Sequence, residues 1–392
     1  MTAYLDHAAT TPMVPAAVDA MTAELAIVGN PSSLHTAGRR ARRVVEESRE
    51  QLAASLGARP SEVVFTSGGT EADNLAVVGG YRARSAADPR RRRVLASAVE
   101  HHAVIDSVQW LADHAGAEAV WLPVDHLGRV DLEALREAID DDPDSVALVS
   151  VMWANNEVGT IQPVADVVEI AHAHGIPVHT DAVQAVGHVP VEFATSGVDL
   201  LSLTGHKLGG PMGAGALLAV RGAELTAVQH GGGQERGVRS GTLDTPAIRG
   251  LAVAVEHAVD DLPRSAPRIA ALRDRLVAGV QSQVPDAVVH GDPVGRLPGN
   301  VNLAFPGCEG DSLLYLLDAQ GIECSTGSAC QAGVPQPSHV LLAMGVPDEL
   351  VRGALRLTLG HTSTDADVDA ALAALPAAVE RARGAGLASR AG

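Results

Sequence analysis

The chain has 392 residues, 46% of them hydrophobic and 19% charged, with a formal net charge of −18. That length and balance describe a folded globular protein with a core large enough for two domains, and they exclude a disordered or fibrous chain. The acidic charge argues against a nucleic-acid or anionic-membrane partner, and no stretch approaches the ~18 apolar residues of a membrane span.

The N-terminal MTAYLDHAATTP has neither the basic start nor the apolar run of a signal peptide, so a cytoplasmic location is expected. Apolar runs then alternate with helical patterns: EVVFTS from Glu62, RVLASA from Arg93, AVWLPV from Ala119, VALVSVMW from Val146, IPVHTDA from Ile176, DLLSLTG from Asp199 and GALLAV from Gly215. Strands spaced in this way by helices predict an α/β fold with a mostly parallel sheet. The run Arg90 to Arg93 reads as a solvated loop between a helix and a strand. In DDLPRSAPR the prolines Pro263 and Pro267 interrupt the pattern, and a helix with apolar residues at Ile269, Leu272, Leu276 and Val280 follows. A domain boundary is expected there. After Asp365 the alanine-rich tail reads as a terminal helix with a frayed end.

Of 29 basic side chains, 28 are arginine and one is Lys207, in SLTGHKLGG. A lysine can lose its proton and form a Schiff base with a carbonyl, whereas an arginine stays protonated. Lys207 is therefore a candidate covalent catalyst, set against the plainer reading of a chance survivor on the surface. The polar clusters all follow the apolar runs, and in open α/β sheets ligands bind beyond the carboxyl ends of strands. After EVVFT, Ser67-Gly68-Gly69 forms a turn and Thr70-Glu71 opens a helix, which suits either a phosphate or a simple cap. Asp181 at the end of VPVHT is costly to bury unpaired; a protonated pyridine nitrogen, an arginine or a helix cap would each satisfy it. His101 or His102 could stack on an aromatic cofactor or move protons. The pairs His179/Asp181 and His172/His174 lack a third ligand at a telling spacing, so no metal is expected. Together, these are the parts that pyridoxal 5′-phosphate requires.

The stretches YLDHAATTP, NPSSLHTAGR, FTSGGTEADNLA, EHHAV, NNEVGT, HTDAVQAVG, GHKLGGPMG, GGGQERGVRSGT and STGSAC resemble the cysteine desulfurases of the NifS/IscS type, within the class V aminotransferases. The resemblance runs from about Tyr4 to the terminal helix. It implies the pyridoxal-phosphate fold type I, with a large cofactor domain over 14–261 and a smaller α+β domain from 1–13 and 262–392 that carries the catalytic cysteine. It also implies conversion of L-cysteine to L-alanine. Lys207 would hold the cofactor and move the Cα proton, Asp181 would face the pyridine nitrogen, Gln184 the phenolic oxygen, and His101 would stack on the ring and transfer protons. Gly69, Thr70, Thr204 and His206 would hold the phosphate, joined by Thr242 from the other subunit of a homodimer. Asn155 would contact the cofactor near the substrate, and Arg356 in LRLTLG would clamp the substrate carboxylate.

Three cysteines make no disulfide framework in a chain of this size. Cys330 matches the family's sulfur acceptor and lies in a stretch of small, glycine and proline residues, which suits a loop that reaches from pocket to partner. Cys324 is the fallback nucleophile, and Cys308 is expected to pack. The sulfur acceptor would be an iron–sulfur scaffold or a tRNA-thiolation enzyme, and whether Cys330 ever shares a cluster with a partner stays open. The chain departs from the commonest family pattern in LGGPMG after the lysine and at Thr326 and Gln331 around the cysteine, positions that bear on delivery rather than chemistry. Transamination, selenocysteine lyase activity and an inactive scaffold are rival readings; a Rossmann dehydrogenase fails for want of G-x-G-x-x-G after the first strand.

Overall fold

All seven apolar runs form strands, and all seven enter one sheet in the order Val63–Thr66, Gly215–Ala219, Leu200–Thr204, Val178–Asp181, Val146–Ser150, Arg93–Ser97, Glu118–Leu122. Only Gly215–Ala219 runs antiparallel to its neighbours; the other pairings are parallel. Six of the strands are buried along their whole length, which is why they read as continuous hydrophobic runs rather than alternating ones. The seventh, Glu118–Leu122, lies at the edge and keeps most of its residues partly or fully exposed. The computed structural model describes residues 2–327 and 337–390, with side chains as far as Gly384.

Helices cover both faces of this sheet. On one side Leu52 of the helix Thr36–Ser55, Val167 of Val164–His172 and Leu251 of the long helix Thr245–Gln283 share a core with Phe65, Val149 and Leu203. On the other, Leu75 and Val108 pack on Val64, Ala147 and Leu217. Beyond the sheet stands a second core, built on the antiparallel strands Ala354–Thr358, Asn300–Ala304 and Val288–His290 and on the helices Gly310–Asp318 and Asp365–Arg390. A further pairing joins Ala3–Tyr4 to Ile322–Glu323 in parallel and ties the N-terminus to this second core.

Two expectations need correction. Pro263 and Pro267 do not interrupt a helix: Thr245–Gln283 is a single helix of 39 residues passing through both. The two prolines lie four apart on one exposed face, where a carbonyl that loses its helical donor can turn to water and the ring crowding can be relieved by bending. Ser265 Oγ also donates to Asp261 O at 3.0 Å. The change of core falls along this helix, since Val255 packs under the large sheet and Ile269 under the small one. The basic run is likewise not all loop, because Arg93 opens a strand and is buried beside Glu118 and Asp141.

Candidate active site

Because the parallel strands share a direction, their carboxyl ends deliver their following residues to one edge of the sheet. A cavity of about 450 Å³ opens there, lined by Gly69 and Thr70 after one strand, His101 after another, Asp181 and Gln184 after a third, and Thr204, His206 and Lys207 after a fourth. Arg356 reaches it from the small antiparallel sheet. The volume suits a cofactor-sized molecule.

At the turn after Val63–Thr66, Gly68 has φ +153°, outside the range of ordinary side chains, and a Cβ at Gly69 would meet Val183 Cγ2 at 2.7 Å. Glycine at both positions keeps this turn open. The helix beginning at Gly69 runs on as Leu75–Gly79, in a wider π turn, and Gly80–Ala87, so the free N–H groups of its first turn face a helix dipole of useful length. Glu71 in that turn accepts from Ser67 N at 2.6 Å and pairs with Arg239 at 2.7 Å.

In the cavity wall Asp181 ends its strand fully buried. Its Oδ1 accepts from Val183 N at 2.9 Å. Burial, with Asp73 beside it, raises its pKa to about 7; Asp73 is raised to about 7 by burial as well, and its Oδ1 has no hydrogen-bond partner among the described residues. Below them His179 is clasped between Ser150 Oγ at 2.9 Å and Ser202 Oγ at 3.0 Å, and burial holds it neutral with a pKa of about 4. Such a wall is short of positive charge, and a protonated ring nitrogen beside Asp181 would supply it.

Lys207 donates from Nζ to the carbonyls of Ala8 and, at 2.7 Å, Ala9. Burial first, and then the nearby Arg356, lowers its pKa to about 8 despite the opposing pull of Asp6 and Asp181. Gln184 Nε2 donates to Ala8 O at 2.9 Å. His101 caps the helix His102–Ala115 by accepting from Ala103 N at 3.1 Å, which leaves the proton of the neutral ring on Nε2. The surrounding protein and the charge of Lys207 hold His101 to about 4, and His206 is lowered to about 4 by the same two causes. Thr204 Oγ1 donates to Ala214 O at 3.3 Å.

Asn155 does not line the cavity, contrary to expectation. Its Oδ1 accepts from Glu157 N and Val158 N, and its Nδ2 donates to Val99 O, so its polar atoms are spent on shaping the turn. Asn156 lines the cavity in its place, as does Glu157. Thr242 is exposed and absent from the lining of its own chain's cavity. Cys330 lies outside the described residues. Of the other two cysteines, both buried, Cys324 has its thiol pushed up to about 12 by burial, and Cys308 is raised by burial as well. Neither is suited to act as a thiolate, so Cys324 is a poor fallback nucleophile.

Sequence reasoning also passed over Asp6, Ala8 and Ala9, which the N-terminal turn brings against Arg356 and Lys207. Their only signal was membership of YLDHAATTP. Asp73 and Glu157 were hidden inside quoted motifs in the same way. Among the described residues no group of three or more His, Cys, Asp and Glu side chains could hold a metal, and no helix is long and apolar enough to cross a membrane.

The family description "Aminotransferase class-V" matches residues 3–371. An IscS-like cysteine desulfurase of Mycobacterium tuberculosis is 59% identical over 99% of this chain and 98% of its own. A cysteine desulfurase IscS of Methanosarcina thermophila is 44% identical over 97% of this chain and 92% of its own. Among solved structures, a NifS-like protein superposes with a TM-score of 0.89 at 36% identity, over 97% of this chain and all of that one. With these matches running along nearly its whole length, the chain belongs to the class V aminotransferases and, within them, to the cysteine desulfurases of the NifS/IscS type.

Proposed function

We infer that this protein is a pyridoxal-phosphate-dependent cysteine desulfurase that converts L-cysteine to L-alanine and takes the sulfur onto Cys330 as a persulfide. The observation that carries the reading is the chain's only lysine, held at lowered pKa in a cavity that the buried carboxyl of Asp181 also lines. The residues fit the cofactor: the glycine-lined helix start takes the phosphate with Thr70, Thr204 and His206, Asp181 takes the pyridine nitrogen, Gln184 the phenolic oxygen and Lys207 the aldehyde carbon. When bound, pyridoxal phosphate supplies an electron sink at the substrate's Cα.

The chain's own groups do the rest. Lys207 in its neutral form accepts the Cα proton, and the carbonyls of Ala8 and Ala9 receive its ammonium form. His101, neutral and protonated on Nε2, would stack on the cofactor ring and could hold or return a proton. Arg356 fixes the substrate carboxylate and so aims the thiol. The Cys330 thiolate attacks the substrate sulfur: an S–S bond forms, the Cβ–S bond breaks, and Cβ keeps the electron pair and takes a proton to become the methyl of alanine. The sulfur is oxidised to the persulfide level and the carbon is reduced, so no outside oxidant is needed.

We also assign the large and small units to 14–261 and to 1–13 with 262–392, and a homodimer in which Thr242 of one copy completes the phosphate site of the other. Its exposure, away from its own cavity, supports that arrangement. An iron–sulfur scaffold or a tRNA-thiolation enzyme is the proposed acceptor, in the cytoplasm. The test is the absorbance of the purified protein before and after L-cysteine, with alanine and sulfide assayed together in the presence of a thiol that reduces the persulfide to sulfide, and persulfide assayed without it, for the wild type and Cys330→Ser. A yellow band that shifts on cysteine, with alanine and sulfide appearing in equal amounts and only the wild type forming persulfide, is expected. Undiminished sulfide release from Cys330→Ser would move the nucleophile elsewhere, and a colourless protein that cannot be reconstituted would remove the activity.

A further inference from the structure

The N-terminal turn is fastened to the strand Ala354–Thr358, which carries Arg356. Thr358 N donates to Leu5 O at 2.7 Å, Ala8 N to Thr358 Oγ1 at 2.9 Å, and Asp6 bridges Thr358 in parallel. Inside the turn Ala9 N donates to Asp6 O at 2.9 Å, and Tyr4 Oη donates to Thr10 O at 2.8 Å. The turn is also fastened to the lysine segment, where Thr11 N donates to His206 O at 2.9 Å. The geometry of residues 6–11 is thereby set from two sides.

From this turn the Asp6 carboxylate accepts from Arg356 Nη2 at 2.9 Å, while Arg356 Nη1 donates to Asn156 O at 3.1 Å. Arg356 is almost fully buried, and its Nε has no partner among the described residues. A guanidinium carries five N–H donors in a rigid fork. Two are spent on anchoring, one on each terminal nitrogen; Nε is closed off, and the second N–H of Nη1 and of Nη2 is left at the cavity for a planar anion. A long arginine without such anchors loses rotamer freedom on binding, whereas an anchored one is already placed.

We propose that Asp6 is a positioning residue for substrate recognition: its carboxylate holds the Arg356 fork so that the free edge meets the α-carboxylate of the amino-acid substrate. This rests on the reading of Arg356 as the carboxylate clamp. It adds that the N-terminal turn decides the clamp's orientation, while its Ala8 and Ala9 carbonyls decide where the Lys207 amine rests. One short segment thus sets the distance between the group that grips the substrate and the group that takes its proton.

The test is an absorbance titration of the holoenzyme with L-alanine and with ethylamine, which differ by the carboxylate alone. Neither is turned over. Asp6→Asn is nearly isosteric at a part-exposed position, and Asp6→Glu keeps the charge. Asp6→Asn should weaken L-alanine about tenfold, the scale of a lost charge-assisted contact, and leave ethylamine within about twofold; Asp6→Glu should restore much of the preference. The KM for L-cysteine should rise in parallel with little change in kcat. Equal weakening of both amines, no change, or tighter L-alanine binding in Asp6→Asn would overturn the assignment. Arg356→Gln separates the two levels: if it abolishes the preference for L-alanine and Asp6→Asn does not, the Asp6 inference alone is lost, and if neither changes it, the clamp reading falls with it.

Discussion

Two carboxylates, Asp6 and Asp181, favour the charged form of Lys207, yet it is lowered to about 8 from the usual 10.5 because burial and Arg356 outweigh them. Only the neutral amine attacks an aldehyde. The rate at which the apoprotein takes up pyridoxal phosphate should therefore climb with pH to a midpoint near 8. Stopped-flow absorbance from neutral to alkaline pH would measure it, and a midpoint near 10.5 would contradict the environment described. Lys207→Arg should fold and develop no yellow band, since a guanidinium cannot form the bond. At this scale much of the site was legible. Lys207 stood out by its singularity and Asp181 by being a charge at the end of a buried strand. Asn155 and Asn156 were not separable, because adjacent residues of one type carry no signal for which faces the cavity. Asp6 and Glu157 were unreadable, because what they touch lies 350 and 181 positions away in sequence, at Arg356 and Ser338.

The strands were legible because parallel strands buried on both faces must be almost wholly apolar, and each of the seven was found within a residue or two of its ends apart from VALVSVMW, whose last three residues leave the strand. The helix Thr245–Gln283 was misread because proline is weighed locally, as a breaker, while the exposure of its face is a tertiary fact. That helix spans about 58 Å at the usual rise, and both cores pack along it. Its prolines still forgo helical hydrogen bonds. Replacing Pro263 by alanine should stabilise the protein by about 2 kcal/mol, the helix-interior penalty of proline of about 3 less the roughly 0.4–1 that proline gains by restricting the unfolded chain. Urea unfolding would measure this, with the cofactor spectrum expected unchanged; a loss of stability would mean that the bend itself is needed for packing.

Over the whole molecule, the cavity draws on both cores: the wall with Asp181 and Lys207 belongs to the large sheet, and Arg356 to the small one. Burial raises Asp73, Asp181 and Glu157 each to about 7, outweighing Lys207 near Asp181 and Arg356 near Glu157. For each of the three the folded pKa lies above the unfolded one, so the stability it contributes is full below about pH 4 and is lost as pH rises through 7. A cofactor whose cationic ring nitrogen pairs with Asp181 should oppose the part of that loss due to Asp181. Removing pyridoxal phosphate should accordingly lower Tm, by more at pH 8 than at pH 6, and scanning calorimetry of apo and holo protein at the two pH values would check it. An equal drop at both would mean that the phosphate and lysine contacts, not the buried carboxyl, carry the cofactor's stabilisation.

The amino-acid sequence by itself determined the sheet, the order of its helices and strands and the chemistry gathered at the strand ends, because hydrophobic periodicity and residue type are local and direction along parallel strands carries each following loop to the same edge. Only the tertiary structure decided which of two adjacent asparagines meets the cavity, that the long helix survives its prolines, and that an aspartate six residues from the N-terminus grips an arginine near the far end. Those outcomes depend on burial and on contacts between distant segments, which no window of sequence contains.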